Sequence, residues 1–410
     1  VETRSTSTTS RATDMTDKRM SRRLVLTGGL AAVGGAAAAT GVGALRSSDE
    51  VVETEDQPTL LEPFHGRHQA GIATAPQGHV AVIGLDIASG VDADRFAAVL
   101  RMLSNDAERL TQGQAALGDT EPQLAILPAR LTVTFGFGYA MFDKLGLADR
   151  RPADFTVLPE FSLDELDPAF GGGDLMVQIC SDDVTAVAHA MRMLVKDARS
   201  IMRVRWVQRG FRQTAPVIEP GATPRNVMGQ LDGTSNPTVD ELDAIAWRGG
   251  TDWTRDGSTM VIRRIRAEME TWDAVDPVAK DMIIGRRTDT GAPLTGQSEH
   301  DEPDFDAVDP LRLPVIAANA HIRRARLADG RRIFRRAYNY DDQLTAHGIP
   351  DTGLLFIAYQ ADIGTFVDMQ RRIDEADMLN SWVTPVGSAE FLIPPGCQPG
   401  GWIGETLLPE

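Results

Sequence analysis

Gly78-His79-Val80-Ala81-Val82-Ile83-Gly84-Leu85-Asp86 is the stretch from which the fold is read. It is a short apolar run bounded by turn residues, the pattern of a buried strand. Asp92 follows as the N-cap of a helical pattern through about Leu110, with Phe96, Val99, Leu100 and Leu103 on one face. Leu131-Thr132-Val133-Thr134-Phe135 alternates as a strand, and Asp174 to Cys180 forms another. A second helix is predicted from about Asp183 to Ser200, before Val204-Arg205-Trp206-Val207 returns as a strand. The second half repeats this grammar. Ser258 to Ile265 and Gly353-Leu354-Leu355-Phe356-Ile357-Ala358-Tyr359 are strands, Thr365 to Leu379 is helical, and Ala389 to Ile393 is the last strand. Two split βαβ halves predict an α+β fold, two ferredoxin-like units of the dimeric α+β barrel type packed together. The expected boundaries are 60–222 and 223–410. The Gly- and Pro-rich stretch from about Gly285 to Pro314 reads as a long loop, a feature usually tied to function.

The rest of the composition narrows the class. The chain of 410 residues carries 58 Asp and Glu against 41 Lys and Arg, a net charge of −17, and 42% apolar residues. Its length suits about two domains at roughly 150 residues each, with ample core. An acidic chain repels phosphate backbones, so no nucleic-acid partner is expected. Two cysteines, Cys180 and Cys397, exclude a disulfide scaffold and Cys-rich metal clusters. They read as separate thiols.

The N-terminal region reads as an address. Ser21-Arg22-Arg23-Leu24-Val25-Leu26 opens an uncharged run to Leu45. The run could span a bilayer by length, but its many Gly and Ala make it a weak permanent anchor. Paired arginines before such a run look like a twin-arginine export signal. Residues 1–46 are therefore expected to direct export to the periplasm, cell envelope or exterior, with no permanent membrane span. Residues 47–59 read as a disordered acidic linker. The twin-arginine route carries folded proteins, often ones that have gained a cofactor.

Familiar catalytic signatures are missing. The 7 histidines form no His-Glu-x-x-His, Gly136-Phe137-Gly138 lacks the third glycine of a dinucleotide site, and there is no Gly-x-Ser-x-Gly. His65 and His68 could pair on a metal or could pack a loop. The acidic run Glu299 to Asp306 could bind a hard cation, with a solvated charge run as the plainer reading. Two constellations stand out: Arg225-Asn226-Val227-Met228-Gly229-Gln230-Leu231-Asp232-Gly233-Thr234-Ser235-Asn236-Pro237, and Ala320-His321-Ile322-Arg323 followed by Arg331-Arg332-Ile333-Phe334-Arg335-Arg336-Ala337-Tyr338-Asn339-Tyr340. Alone, the first is an Asp-Gly turn and the second a packed histidine.

In that order the two sets resemble the dye-decolorizing peroxidases. Pro63-Phe64-His65-Gly66-Arg67-His68-Gln69-Ala70-Gly71-Ile72, Gly291-Ala292-Pro293-Leu294-Thr295-Gly296, Gly353-Leu354-Leu355-Phe356 and Val386-Gly387-Ser388-Ala389 extend the resemblance over nearly all of residues 60–405. With the export signal it is similar to the bacterial secreted branch that includes deferrochelatases. The resemblance implies one haem b per chain, held mainly by the C-terminal half. It implies His321 as the proximal iron ligand, Asp232 as the distal acid and base, and Arg335 as the cation stabilising the peroxide anion. Arg336, adjacent, shares the motif and is a second candidate for that role.

Gly233, Thr234 and Ser235 match the turn at the porphyrin edge, and Phe356 an apolar residue on the peroxide side. Asp377, placed in the predicted helix, is the candidate acceptor for the other nitrogen of His321. Where the family often reads His-Ile-Arg-x-Ala-Asn-Pro, this chain has His321-Ile322-Arg323-Arg324-Ala325-Arg326-Leu327, so Arg326 is the candidate there for a haem propionate. Hydrogen peroxide and organic electron donors are the implied partners. Bulky donors would reach the site by electron transfer through Tyr338, Tyr340, Tyr359, Trp382 or Trp402. Iron release from haem, or haem binding without catalysis, are the alternatives. Homo-oligomerisation is left open by the sequence.

Overall fold

The structure is a computed structural model that describes residues 60–344 and 348–408. The expected export segment, 1–46, and linker, 47–59, lie outside the described residues. The first half runs β1 (His79–Ile87), α1 (Ala93–Thr111), β2 (Thr132–Gly138), α2 (Tyr139–Lys144), β3 (Leu175–Ser181), α3 (Val184–Ala198) and β4 (Met202–Phe211). The second runs α4 (Leu242–Ile245), β5 (Ser258–Ala267), α5 (Met269–Asp273), α6 (Pro277–Ile284), α7 (His321–Arg324), β6 (Phe334–Arg335), β7 (Tyr338–Leu344), β8 (Pro350–Gln360), α8 (Ile363–Ala376) and β9 (Val383–Ile393).

Within the first half the strands lie in the order β4-β1-β3-β2, and in the second β9-β5-β8-β7. Both are the 4-1-3-2 order of a split βαβ unit, with every pairing antiparallel. The expected two-unit α+β architecture is thus present, with one addition. β2 pairs with β9 at Phe137 and Leu392, and β4 pairs with β7 at Phe211 and Asn339. These two seams merge the sheets into one closed antiparallel barrel, which the sequence reading did not specify.

Closure explains why the strands read as continuous apolar runs. Antiparallel strands with one wet face alternate, but here both faces are covered. Val80, Val82, Met176, Ile262, Ile357 and Phe391 share one cluster. Ala81, Ile83, Leu85, Val177 and Ile179 pack instead with Phe96, Leu100 and Leu103 of α1 and Val187 and Leu194 of α3.

The helix starts follow from their caps. Asp92 accepts from the Arg95 N–H at 2.9 Å, and Asp183 accepts from the Thr185 N–H at 2.9 Å. The helix predicted from Thr365 to Leu379 ends earlier, at Ala376, and Asp377 has non-helical backbone (φ −73°, ψ 126°). Asp377 is therefore not inside that helix, a correction with consequences below. β6 and β7, absent from the sequence reading, lie end to end along one edge of β8.

The stretch 285–314 is irregular as expected, with isolated bridges Arg286–Pro293 and Val308–Pro314. Its entry is tightly built: α6 is capped by Asp276 and stops at Gly285, where φ is +91°. A Cβ there would sit 2.8 Å from Ile322, so glycine lets α6 end directly against α7.

Cys180 and Cys397 are both free and buried. His65 and His68 do not converge on a shared site. His65 Nε2 is 3.0 Å from Glu108 and its Nδ1 is 3.5 Å from Cys397 Sγ. His68 donates to the Asp256 carbonyl at 2.7 Å and stacks on Trp247. In the acidic loop, Asp301 and Asp304 accept backbone N–H groups, and Glu302 pairs with Arg326. Among the described residues no three or more His, Cys, Asp and Glu side chains converge as a metal site, and no helix is long and apolar enough to cross a membrane.

Candidate functional site

The single-turn helix α7 presents His321. Its Nδ1–H donates to Asp377 Oδ2 at 2.7 Å, and Asp377 Oδ1 accepts the Leu379 N–H at 2.9 Å. The Asp377 carboxylate is fully buried. Because the backbone has left the helix at Asp377, one carboxylate can cap the next turn and fix the imidazole together. A carboxylate accepts only, so in the neutral imidazole the proton sits on Nδ1 and Nε2 carries the lone pair. No described residue hydrogen-bonds to Nε2, and the ring is 34% exposed. Burial opposes protonation of His321, but the charge and hydrogen bond of Asp377 outweigh it and hold the pKa above the ordinary value.

The turn from Arg225 to Pro237 presents Asp232. Arg335 Nη1 donates to Asp232 Oδ1 at 2.7 Å, and Asn226 Nδ2 approaches Oδ2 at 3.4 Å. Burial pushes the Asp232 carboxyl up, yet the Arg335 charge and the Asn226 and Arg335 hydrogen bonds prevail, so its pKa lies below the usual carboxylate range. His321 adds in the same sense, and Arg335 in turn bears on His321. The His321–Asp377 pair and the Asp232–Arg335 pair, 103 residues apart in sequence across the latter contact, therefore stand within electrostatic reach of each other.

The other expected residues sit as follows. Gly233 has φ +140°, a conformation that favours glycine. Thr234 Oγ1 donates to Glu299 Oε1 at 2.8 Å, and Ser235 Oγ is 3.4 Å from Arg286 Nη2. Arg335 pairs with Ala358 on β8, which puts it on the same sheet face as Phe356, two positions along. Phe356 is half-buried, with its ring 6.0 Å from that of Phe366. Arg336 points the other way, as the next residue of an extended strand must. It is fully buried and donates to the Thr74 carbonyl and to Gln77 Oε1. Arg336 is thus apart from the Asp232–Arg335 contact. Arg326 is exposed, paired with Glu302 and 5.8 Å from the Phe305 ring.

Of the candidate electron-transfer aromatics, Tyr338, Tyr340 and Tyr359 are buried. Trp382 and Trp402 are half-buried; Trp382 lies 5.5 Å from Trp272, and Arg101 covers Trp402 at 4.8 Å.

Several further residues contribute to the site. Asn226 touches Asp232, and Asn236 grips the Arg335 backbone. Glu299 and Arg286 hold the turn from the long loop, with Arg286 Nη1 on the Gly291 and Glu299 carbonyls at 2.8 and 2.7 Å. Trp272 fixes the same turn through its indole N–H to the Met228 carbonyl at 3.0 Å. Asn226 and Asn236 flank an Asp-Gly turn, where asparagine is already explained by turn chemistry.

Comparison with known proteins agrees with this architecture. The family models "Dyp-type peroxidase, N-terminal" and "Dyp-type peroxidase, C-terminal" match residues 69–212 and 223–398. A dye-decolorizing peroxidase of Thermobifida fusca (strain YX) is 38% identical over 359 residues, 83% of each chain. A deferrochelatase of Escherichia coli (strain K12) is 34% identical over 372 residues, 85% of this chain and 87% of that one. The crystal structure of a DyP-type peroxidase from Cellulomonas bogoriensis is 46% identical, covers 85% of this chain and 98% of its own, and superposes with a TM-score of 0.83. The chain belongs to the Dyp-type peroxidase family, the haem peroxidases of this two-domain barrel fold.

Proposed function

We propose that this chain uses hydrogen peroxide to oxidise dyes, phenols and similar electron donors, with one haem b held mainly by the C-terminal half. The observation that carries the reading is a carboxylate-braced imidazole, His321 with Asp377, within electrostatic reach of a carboxylate braced by a guanidinium, Asp232 with Arg335. The donor set fits the cofactor: His321 has a fixed tautomer and a lone pair on Nε2 that no described residue uses. His321 would hold the iron through Nε2. Haem iron, when bound, supplies the redox chemistry of peroxide activation.

The chain's own residues have separate tasks. Asp377 holds the imidazole ring and makes it a stronger electron donor. Asp232 would take a proton from one peroxide oxygen and return it to the other, so one carboxylate serves both transfers. Arg335 keeps Asp232 ionised and stabilises negative charge as the peroxide deprotonates. Gly233, Thr234, Ser235 and Phe356 would help to hold the cofactor, and Arg326 would offer it a cation on leaving Glu302. Trp382 and Trp402, the partly exposed aromatics of the candidate set, suit entry of electrons from bulky donors. Residues 1–46 direct export by the twin-arginine route to the periplasm, envelope or exterior, and the domains divide at about residue 222.

Iron release from haem with the porphyrin intact is a second reading, favoured by the identity to a deferrochelatase over most of both chains. A passive haem carrier would have no use for the Asp232–Arg335 pair. The deciding experiment is peroxide-dependent dye oxidation by the wild type and by His321→Ala, with cofactor content and free protoporphyrin measured in both. Wild-type protein with no Soret band after expression with ample haem precursor would refute the reading.

A further inference from the structure

We propose that Asn236 is the positioning residue that sets Arg335 against Asp232, an inference that rests on the peroxidase reading above. Its carboxamide meets both backbone groups of Arg335. Oδ1 accepts the Arg335 N–H at 2.8 Å and Nδ2 donates to the Arg335 carbonyl at 2.7 Å. This is the pairing that a neighbouring strand would supply. β6 has only two residues and pairs with β8 along one edge. On its other side the Asn236 side chain takes the place of a strand, so the β6 segment is held along both edges.

The same side chain belongs to the turn that carries Asp232. The Asn236 N–H closes that turn on the Gly233 carbonyl at 2.8 Å, and Pro237 follows with its φ restricted by the ring. Asn236 thus joins the two segments whose side chains meet at 2.7 Å in the Asp232–Arg335 contact. Other tethers of this turn have different ends. Arg332 reaches the Ser235 carbonyl at 2.9 Å, and Asn339 accepts the Val227 N–H at 2.9 Å. Neither touches the Arg335 backbone. Asn236 is therefore the direct link between the register of β6 and the position of the Asp232 carboxylate.

This link has an electrostatic consequence. The charged groups bearing on Asp232 are Arg335, His321 and Arg212, with Asn226 as its uncharged hydrogen-bond donor. Of these, Arg335 alone makes an ion pair with it. A small displacement of Arg335 weakens the cation that keeps Asp232 ionised, without touching either functional side chain.

The test uses holoprotein and two substitutions. Asn236→Asp keeps the size and one acceptor but sets a second acceptor against the Arg335 carbonyl; Asn236→Ala removes both bonds. Both should keep the Soret band and lower kcat/KM for peroxide, by about 10²-fold for a displacement near 1 Å. The acid limb of the pH profile should move to higher pH in both. In an Arg335→Ala background, Asn236→Ala should change kcat/KM less than about twofold, since a residue acting through Arg335 has nothing left to position. Equal losses in both backgrounds, an unmoved acid limb, or loss of fold or cofactor in both variants would each overturn the assignment by showing a structural role. A wild type without peroxide turnover would instead overturn the peroxidase reading, and this inference with it.

Discussion

Asp377 stands one residue beyond the end of α8 and reaches back to His321, with 2.7 Å between Oδ2 and Nδ1. The carboxylate is buried and also caps the following turn. Asp377→Asn keeps the shape and an acceptor for the imidazole N–H but removes the charge. The reduction potential of the bound iron is expected to rise, and peroxide turnover to fall about 10–100-fold, the usual cost of losing such a partner. Spectroelectrochemistry beside steady-state kinetics checks both; an unchanged potential would remove Asp377 from this role.

Asp232→Asn replaces a proton-transferring carboxylate by a group of the same size that cannot do the work. Peroxide turnover is expected to fall by about 10²–10⁴-fold, the range for a positioned acid and base. The absorption spectrum and cofactor content should be retained, because Asp232 is not the proposed iron ligand. Stopped-flow mixing with peroxide measures the step directly, and a variant as fast as wild type would assign the proton transfers elsewhere.

The depressed pKa of Asp232 fixes a pH dependence. The base form persists above a folded pKa that lies below the ordinary value of about 3.9, whereas an imidazole base near 6.5 would already be protonated in mild acid. Turnover is expected to persist into mildly acidic pH, and Arg335→Ala to move the acid limb upward. The same shift contributes stability that is present above the unfolded value and lost as pH falls through the folded one. Activity rising steadily to pH 8 would contradict this assignment of the base.

Far from the site, Asp197 of α3 is pushed up to about 7 by burial and by the nearby Asp106 carboxylate. A carboxyl with a raised folded pKa favours the folded state at low pH, and that contribution drains away as pH rises from about 3.9 towards 7. Asp197→Asn is therefore expected to melt within error of wild type at pH 4 and several degrees above it at pH 8. Thermal unfolding at the two values distinguishes this from a general packing effect, which would appear at both.

The sequence made most of the frame legible for identifiable reasons. β1, β3, β5 and β8 are apolar runs because both faces are covered, and Asp92 and Asp183 cap the helices that cover them. β7 changes character along its length: Tyr338 and Tyr340 are buried, whereas Asp341 and Asp342 are exposed at its far end. It is short, and it shares its sequence with an arginine-rich motif, which masks the strand pattern. At the site, His321, Asp232, Arg335 and Asp377 are legible in the sequence, whereas three features of their setting are not. The place of Asp377 after the helix, the grip of Asn236 and the hold of Glu299 on Thr234 all depend on segments distant in sequence. Arg335 and Arg336 look equivalent in one dimension; strand alternation sends them to opposite faces.

The seams at β2–β9 and β4–β7 bear on how this protein can be divided. Cut at the junction between its halves, each fragment would expose two raw edges, with backbone amides and carbonyls waiting for a stranger's strand. Co-expressed fragments should reassemble by zipping those edges together, while either one alone should polymerise.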